Sequence, residues 1–167
     1  MKPKVHASCF VHPTAVIVGD VTIGENSGIW PNAVIRGDEA PVTIGRNSNV
    51  QDCCVIHVTA DAPTTIGDNV SLGHGCVVHG ATIGDNVIIG MNATVLNRAV
   101  VGKGSVVAAG AVIKESAVIS PGSLAAGVPA KVVRQGDPAL EEYAKRNAET
   151  YVDLAKRHKS GEFSQYP

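Results

Sequence analysis

Val, Ile and Leu recur along this chain every six residues. The run passes through Val5, Val11, Ile17, Ile23, Ile29 and Ile35, resumes after an insertion at Ile44, Val50 and Ile56, and after another at Ile66, Leu72 and Val78. One five-residue step leads to Ile83, and the spacing then holds through Ile89, Val95, Val101, Val107, Ile113 and Ile119. Helices repeat near 3.6 residues and strands at two, so a period of six belongs to neither alone. It predicts a parallel β-helix, in which each hexapeptide is a short strand plus a corner and stacked coils share an apolar interior. Three hexapeptides make one triangular coil. Ile17, Ile35, Ile56, Val78, Val95 and Ile113 then share a first face. Val11, Ile29, Val50, Leu72, Ile89 and Val107 share a second, and the remaining aliphatic positions form a third.

The solenoid is expected over residues 1–126. Asp38 to Val42 and Val58 to Thr65 interrupt its rhythm and are expected to bulge from corners as loops. Gly127-Val128-Pro129 reads as a turn leaving the solenoid, with 127–136 as a linker. Asp137-Pro138 then opens a helix over 137–159, because Asp caps and Pro is tolerated in the first turn. Leu140, Tyr143, Ala144, Ala148, Tyr151, Leu154 and Ala155 give it an apolar stripe to lay against the solenoid. Residues 160–167 read as a frayed tail.

Composition agrees with a narrow interior: aromatic residues make up 4% of the chain, and Val and Ile favour strands. The glycines that follow aliphatic positions mark corners where a Cβ would crowd or positive φ is wanted. A formal charge of −1 with no basic run argues against nucleic acid as a partner. No apolar stretch approaches the roughly 20 residues that span a bilayer, and the start, Met-Lys-Pro-Lys-Val-His, lacks an apolar signal core. The expectation is a soluble, cytoplasmic protein with no membrane partner. The four cysteines have no disulfide-framework spacing. Cys9, Cys54 and Cys76 fall at the second inward slot of the repeat and are expected in the core, with Cys53 free to point outward.

The same arithmetic stacks polar residues. Equivalent slots one coil apart lie about 4.8 Å from each other. His57 follows Ile56 and His79 follows Val78, so the two histidines stack on the first face, with Arg36 beneath them. His74 lies on the neighbouring face, with Asp52 one coil below. Three neutral imidazoles form a catalytic zinc set with one position left open. His57 and His79 can share an ion unaided, whereas His74 is aimed away. The third ligand then comes most simply from another copy, which points to a ring with metal at each interface, and a triangular prism suggests three copies. His6, His12 and His158 do not stack with this pair and are expected at the surface.

Arg36-Gly37-Asp38-Glu39, Asn49-Val50-Gln51-Asp52, His57, Gly73-His74 and His79-Gly80 together resemble the signature of gamma-class carbonic anhydrases and their close homologues. The resemblance runs from about Val11 through the C-terminal helix. It implies a left-handed β-helix, a homotrimer, and zinc, iron or cobalt held by His57 and His79 of one subunit and His74 of the next. It further implies that Arg36 and Asp38 tie subunits together beside the site. Gln51 would hydrogen-bond the metal-bound water, Asp52 would share its polar shell, and Tyr151 would approach that water from the helix. The activity implied is reversible hydration of carbon dioxide to bicarbonate by a metal-bound hydroxide. One departure stands out: Ala60 occupies a position where strongly active members carry a proton-shuttling glutamate. Glu39 matches a second glutamate of the site, so weak turnover is expected with one proton route left.

Two other functions fit parts of the sequence. The run from Gly127 to Arg134 also occurs in hexapeptide-repeat acyltransferases, which need a single catalytic histidine. A non-catalytic, metal-loaded trimeric scaffold would use the same three histidines without turnover.

Overall fold

The computed structural model describes residues 1–164 and 166. The chain winds into a three-sided parallel β-solenoid of about seven turns, a left-handed β-helix of hexapeptide repeats, and closes with one α-helix. Every column drawn from the six-residue spacing is present as strand pairing. On the first face Ile17 pairs with Ile35, Ile35 with Ile56, Ile56 with Val78, Val78 with Val95 and Val95 with Ile113. The second face runs Val11, Ile29, Val50, Leu72, Ile89, Val107 in the same manner. These side chains point inward, and Ile29, Ile35, Ile56, Leu72 and Ile89 are fully buried. Cys9, Cys54 and Cys76 join them in the core, while Cys53 is exposed.

The corners explain two residue types. Asn26, Asn47, Asn69 and Asn86 adopt positive φ, which asparagine tolerates better than most residues. Their side chains form a ladder, each amide donating to the next asparagine at 3.0–3.2 Å. Glycine serves a different end: a Cβ on Gly67 would lie 2.3 Å from Asp85 Oδ1. Crowding between coils, and not positive φ, therefore demands that glycine.

The first interruption is not a loop. Val34–Ile44 is one continuous strand that passes straight across the corner and joins the first face to the third. It pairs with Val16–Ile23, and a register shift between Gly19 and Val21 absorbs the extra residues. The crossing requires glycine on both strands, since a Cβ on Gly19 would meet Gly37 O at 2.2 Å. The second interruption does bulge, as a tight turn closed by a bridge between Thr59 and Ala62. The linker expected over 127–136 is also more ordered than the sequence suggested. Ser123–Gly127 and Ala130–Gln135 form an antiparallel hairpin around the Val128-Pro129 turn, capping the last coil.

The helix spans Pro138–Lys159, with the Asp137 side chain accepting from Ala139 N–H. Leu140, Ala144, Ala148 and Ala155 are buried as it lies down the second face. Asn86 donates to Glu141 at 2.7 Å near its start, and Lys159 donates to the Cys9 carbonyl at 3.1 Å at its end. One helix thus ties late coils to the first. His158 is not a bare surface residue: its ring lies 5.3 Å from Phe10 and 5.0 Å from Trp30. Of the tail expected over 160–167, positions 165 and 167 lie outside the described residues. Within the rest, Glu162 pairs with Arg157 and Phe163 packs on His158, so this part folds back against the helix.

Candidate metal centre

Two polar clusters stand on adjoining sides of the solenoid. The first is built on the first face, where His57 and His79 are direct partners in parallel pairing. Their ring centroids lie 4.9 Å apart, and His57 Nδ1 is 3.0 Å from His79 Nε2. The uninterrupted strand brings Asp38 beside them, with His57 Nε2 3.0 Å from Asp38 Oδ1. The other Asp38 oxygen pairs with Arg36 of the same chain. Partial desolvation raises the Asp38 carboxyl. The His57 hydrogen bond and the Arg36 guanidinium outweigh it and hold the carboxyl below its usual range. On the far side, His79 Nδ1 lies 2.6 Å from Asn97 Oδ1.

The second cluster sits at the corner after Leu72. His74 Nδ1 is 2.8 Å from Asp52 Oδ2, and its Nε2 lies 3.4 Å from the Tyr151 hydroxyl on the helix. Gln51 is buried, accepts the His74 backbone N–H at 3.2 Å and donates to Asn49 at 2.9 Å. One amide hydrogen of Gln51 remains for other work. Burial, aided by the charge of Asp52, pushes the Tyr151 phenol up and keeps it a neutral donor. A groove of about 300 Å³ opens beside His74, between the helix and the second face.

The structure therefore gathers Arg36, Asp38, His57 and His79 in one place, and Gln51, Asp52, His74 and Tyr151 in another. Glu39 belongs to neither: its side chain is exposed on the long strand and makes no hydrogen bond among the described residues. Among those residues no three His, Cys, Asp or Glu side chains of a single chain converge on one point. Asn97 was missed in the sequence, although it follows Leu96 one coil above His79. Its place over Gly80 was the available signal.

The donor set can be tested for fit to a cation by its hydrogen bonds. Asp38 only accepts, so His57 donates from Nε2; the Asn97 carbonyl accepts, so His79 donates from Nδ1; Asp52 likewise takes the Nδ1–H of His74. In neutral imidazoles this leaves lone pairs on His57 Nδ1, His79 Nε2 and His74 Nε2. The first two face each other across 3.0 Å, so His57 and His79 would be able to donate to one cation such as zinc, which takes imidazole nitrogen ligands. Outer acceptors that fix ring tautomers are the usual support of metal-ligating histidines.

Residues 2–37, 63–97 and 80–115 match the family described as Bacterial transferase hexapeptide (six repeats). A Methanocaldococcus jannaschii protein named "Probable carbonic anhydrase" is 51% identical over 142 residues, 85% of this chain and 89% of that protein. A carbonic anhydrase of Geobacillus kaustophilus is 42% identical over 95% of this chain and 87% of its own. Among solved structures, a hexapeptide transferase family protein from Anaplasma phagocytophilum superposes with a TM-score of 0.88. It is 38% identical, and the match covers 92% of this chain and 91% of that one. With identity of this extent over most of its length, the chain belongs to the gamma-class carbonic anhydrase-like family of hexapeptide-repeat proteins.

Proposed function

We propose that the protein is a metal-dependent carbonic anhydrase, hydrating carbon dioxide at the seams of a homotrimer. The observation that carries this is the set of outer acceptors on His57, His74 and His79, which leaves the second ring nitrogen of each with a lone pair, that of His74 lying 3.4 Å from the Tyr151 hydroxyl. His57 and His79 of one subunit and His74 of the next would hold zinc, with iron or cobalt as alternatives from the same ligand chemistry. When bound, the cation supplies Lewis acidity that makes hydroxide available near neutral pH.

The chain's own residues do the rest. Asp38, Asn97 and Asp52 orient the three rings. Tyr151, a neutral hydroxyl within reach of His74, and the spare amide hydrogen of Gln51 offer donors to an oxygen nucleophile or to bicarbonate. Glu39, next to Asp38 and in solvent, is the group we assign to carrying the proton away. With Ala60 in the neighbouring turn there is no second carboxylate at that position, so proton export limits the rate. The trimer is supported by the outer surface of the first face: Val16, Val34, Val55, Val77 and Val112 project from it beside the histidines, and Val16 is 47% exposed. This column, interrupted once by Thr94 between Val77 and Val112, suits burial against a second copy.

Stopped-flow carbon dioxide hydration by zinc- and iron-loaded protein tests the assignment. Hydration is expected with either metal, slow in weak buffer, and lost on His74→Ala. Unchanged activity in that variant would contradict it.

A second function is favoured by the groove beside His74, whose floor includes Gly73, Gly90, Ala108 and Ala109. A slot floored by such small residues suits an extended thioester chain with His74 as base. Acetyl-CoA turnover with an amine or hydroxyl acceptor, without metal, would favour acyl transfer over hydration.

A further inference from the structure

We propose that Asn97 is a positioning residue that fixes which nitrogen of His79 faces the cation, and so sets the affinity of the His57–His79 pair. The inference rests on the metal site proposed above. Its geometry is local and specific. His79 Nδ1 and Asn97 Oδ1 are 2.6 Å apart, the tightest contact to any of the three histidine rings. With that acceptor in place the proton stays on Nδ1 and the lone pair on Nε2, toward His57. With the amide reversed, or with no acceptor, the Nε2–H tautomer becomes available and would turn a proton toward the cation.

The surroundings hold Asn97 in that pose. A Cβ on Gly80 would lie 2.8 Å from Asn97 Oδ1 and 2.9 Å from Ala62 Cβ, so the bare glycine leaves the space that the amide occupies. The next residue, Arg98, is pinned by its backbone N–H to the Gly80 carbonyl at 2.6 Å. Its guanidinium spans Asp61, in the turn that follows His57, and Glu115, 2.7 Å away on the next coil. The corner carrying Asn97 is thus clamped to the element that carries His57.

The choice of an amide also has a reason in charge. Asp38, itself paired with Arg36, and Asp52 already place carboxylates behind His57 and His74. A neutral acceptor behind His79 orients its ring without adding a third negative charge. Asn97→Asp should therefore keep the orientation and bind cation at least as tightly, whereas Asn97→Ala loses the orientation.

The test uses full-length protein stripped of metal with a chelator. Long-range proton–nitrogen NMR reports the His79 tautomer, and Co2+ titration against a chromophoric competitor reports affinity. Wild type is expected in the Nδ1–H form, and Asn97→Ala in a mixture of tautomers with Co2+ binding weakened about ten- to a hundredfold. Asn97→Asp is expected to restore both. Thermal midpoints of the stripped variants, compared with wild type, expose any misfolding, and the Asp variant is isosteric and guards against it. Asn97→Ala that binds Co2+ within threefold of wild type, or Asn97→Asp as weak as Asn97→Ala, would overturn the inference. Wild type that binds no Co2+ would remove the metal site itself and this inference with it.

Discussion

The coils from Ile66 to Ile119 and those from Ile17 to Ile66 are built on the same repeat but do different work. The upper coils run without insertion, each strand two or three residues long. The lower coils carry both interruptions, and each interruption ends beside His57. The extended Val34–Ile44 strand delivers Asp38 to one ring nitrogen of His57. The turn after Val58 delivers Asp61 to Arg98 and Thr64 to the His57 carbonyl, at 2.8 Å. A regular solenoid stacks side chains at fixed distance on a convex face, where each has little to lean on. Departures from the repeat supply the supports. His57 is held where regularity fails, whereas His74, His79 and Asn97 stand on the regular coils.

That contrast can be broken by substitution. The largest effect is expected in the regular coils. Ile89→Ala, at a fully buried position, should cost about 2–5 kcal/mol in denaturant unfolding. The cation affinity of the protein that remains folded should not change. A loss below 1 kcal/mol would mean that the interior is looser than the stacked columns imply.

Gly67→Ala comes next. Its Cβ would press on Asp85 Oδ1, which is already engaged by the Asp68 N–H at 2.8 Å. The expected penalty is about 1–3 kcal/mol, again measured by unfolding, and a neutral result would show that the corner can relax.

In the lower coils the effects should appear in binding. Asp38→Asn removes the carboxylate that serves both His57 and Arg36, while the carboxyl is exposed and contributes little to the fold. Cobalt titration should show affinity reduced about tenfold with an almost unchanged thermal midpoint. The reverse pattern would make Asp38 a structural residue.

The smallest effect is in the acid response. Asp68 accepts the Arg46 backbone N–H at 2.7 Å and its guanidinium at 2.9 Å, which hold the Asp68 carboxyl below its usual range. A depressed carboxyl stabilises the fold above its unfolded-state pKa of about 3.9, and that contribution is lost as pH falls through the folded-state value. Asp68→Asn should therefore melt slightly lower than wild type at neutral pH, with the gap closing below about pH 3. A gap that persists in acid would assign the effect to packing.

The columns were legible in the sequence because a fixed period needs only counting. Once Ile56 and Val78 were three hexapeptides apart, the stacking of His57 and His79 followed. The helix was legible from Asp137-Pro138 and its stripe. Lengths of insertions carry no such information. Three extra residues between Ile35 and Ile44 fit a loop as well as a strand crossing the corner, and only the close approach of Gly19 and Gly37 decides. The hairpin over 123–135 was hidden because its return strand, Ala130–Gln135, is largely exposed and lacks alternation. Asn97 was hidden for another reason. A polar residue at a corner is ordinary, and its role depends on the ring one coil below. His158 looked like a helix-surface residue because its aromatic partners, Phe10 and Trp30, lie more than a hundred residues away.

The central claim is that one cation is shared between the His57–His79 pair of one copy and His74 of another. It is tested most directly by mixing two defective proteins, His74→Ala and the double variant His57→Ala/His79→Ala, and refolding them together. Each alone lacks the complete three-histidine set, so cobalt should bind much more weakly than to wild type and hydration should be absent. In an equal mixture about a quarter of interfaces would pair an intact His57–His79 with an intact His74, and cobalt binding and hydration should return to that extent. No recovery in mixed oligomers shown to contain both chains would contradict a site shared between copies.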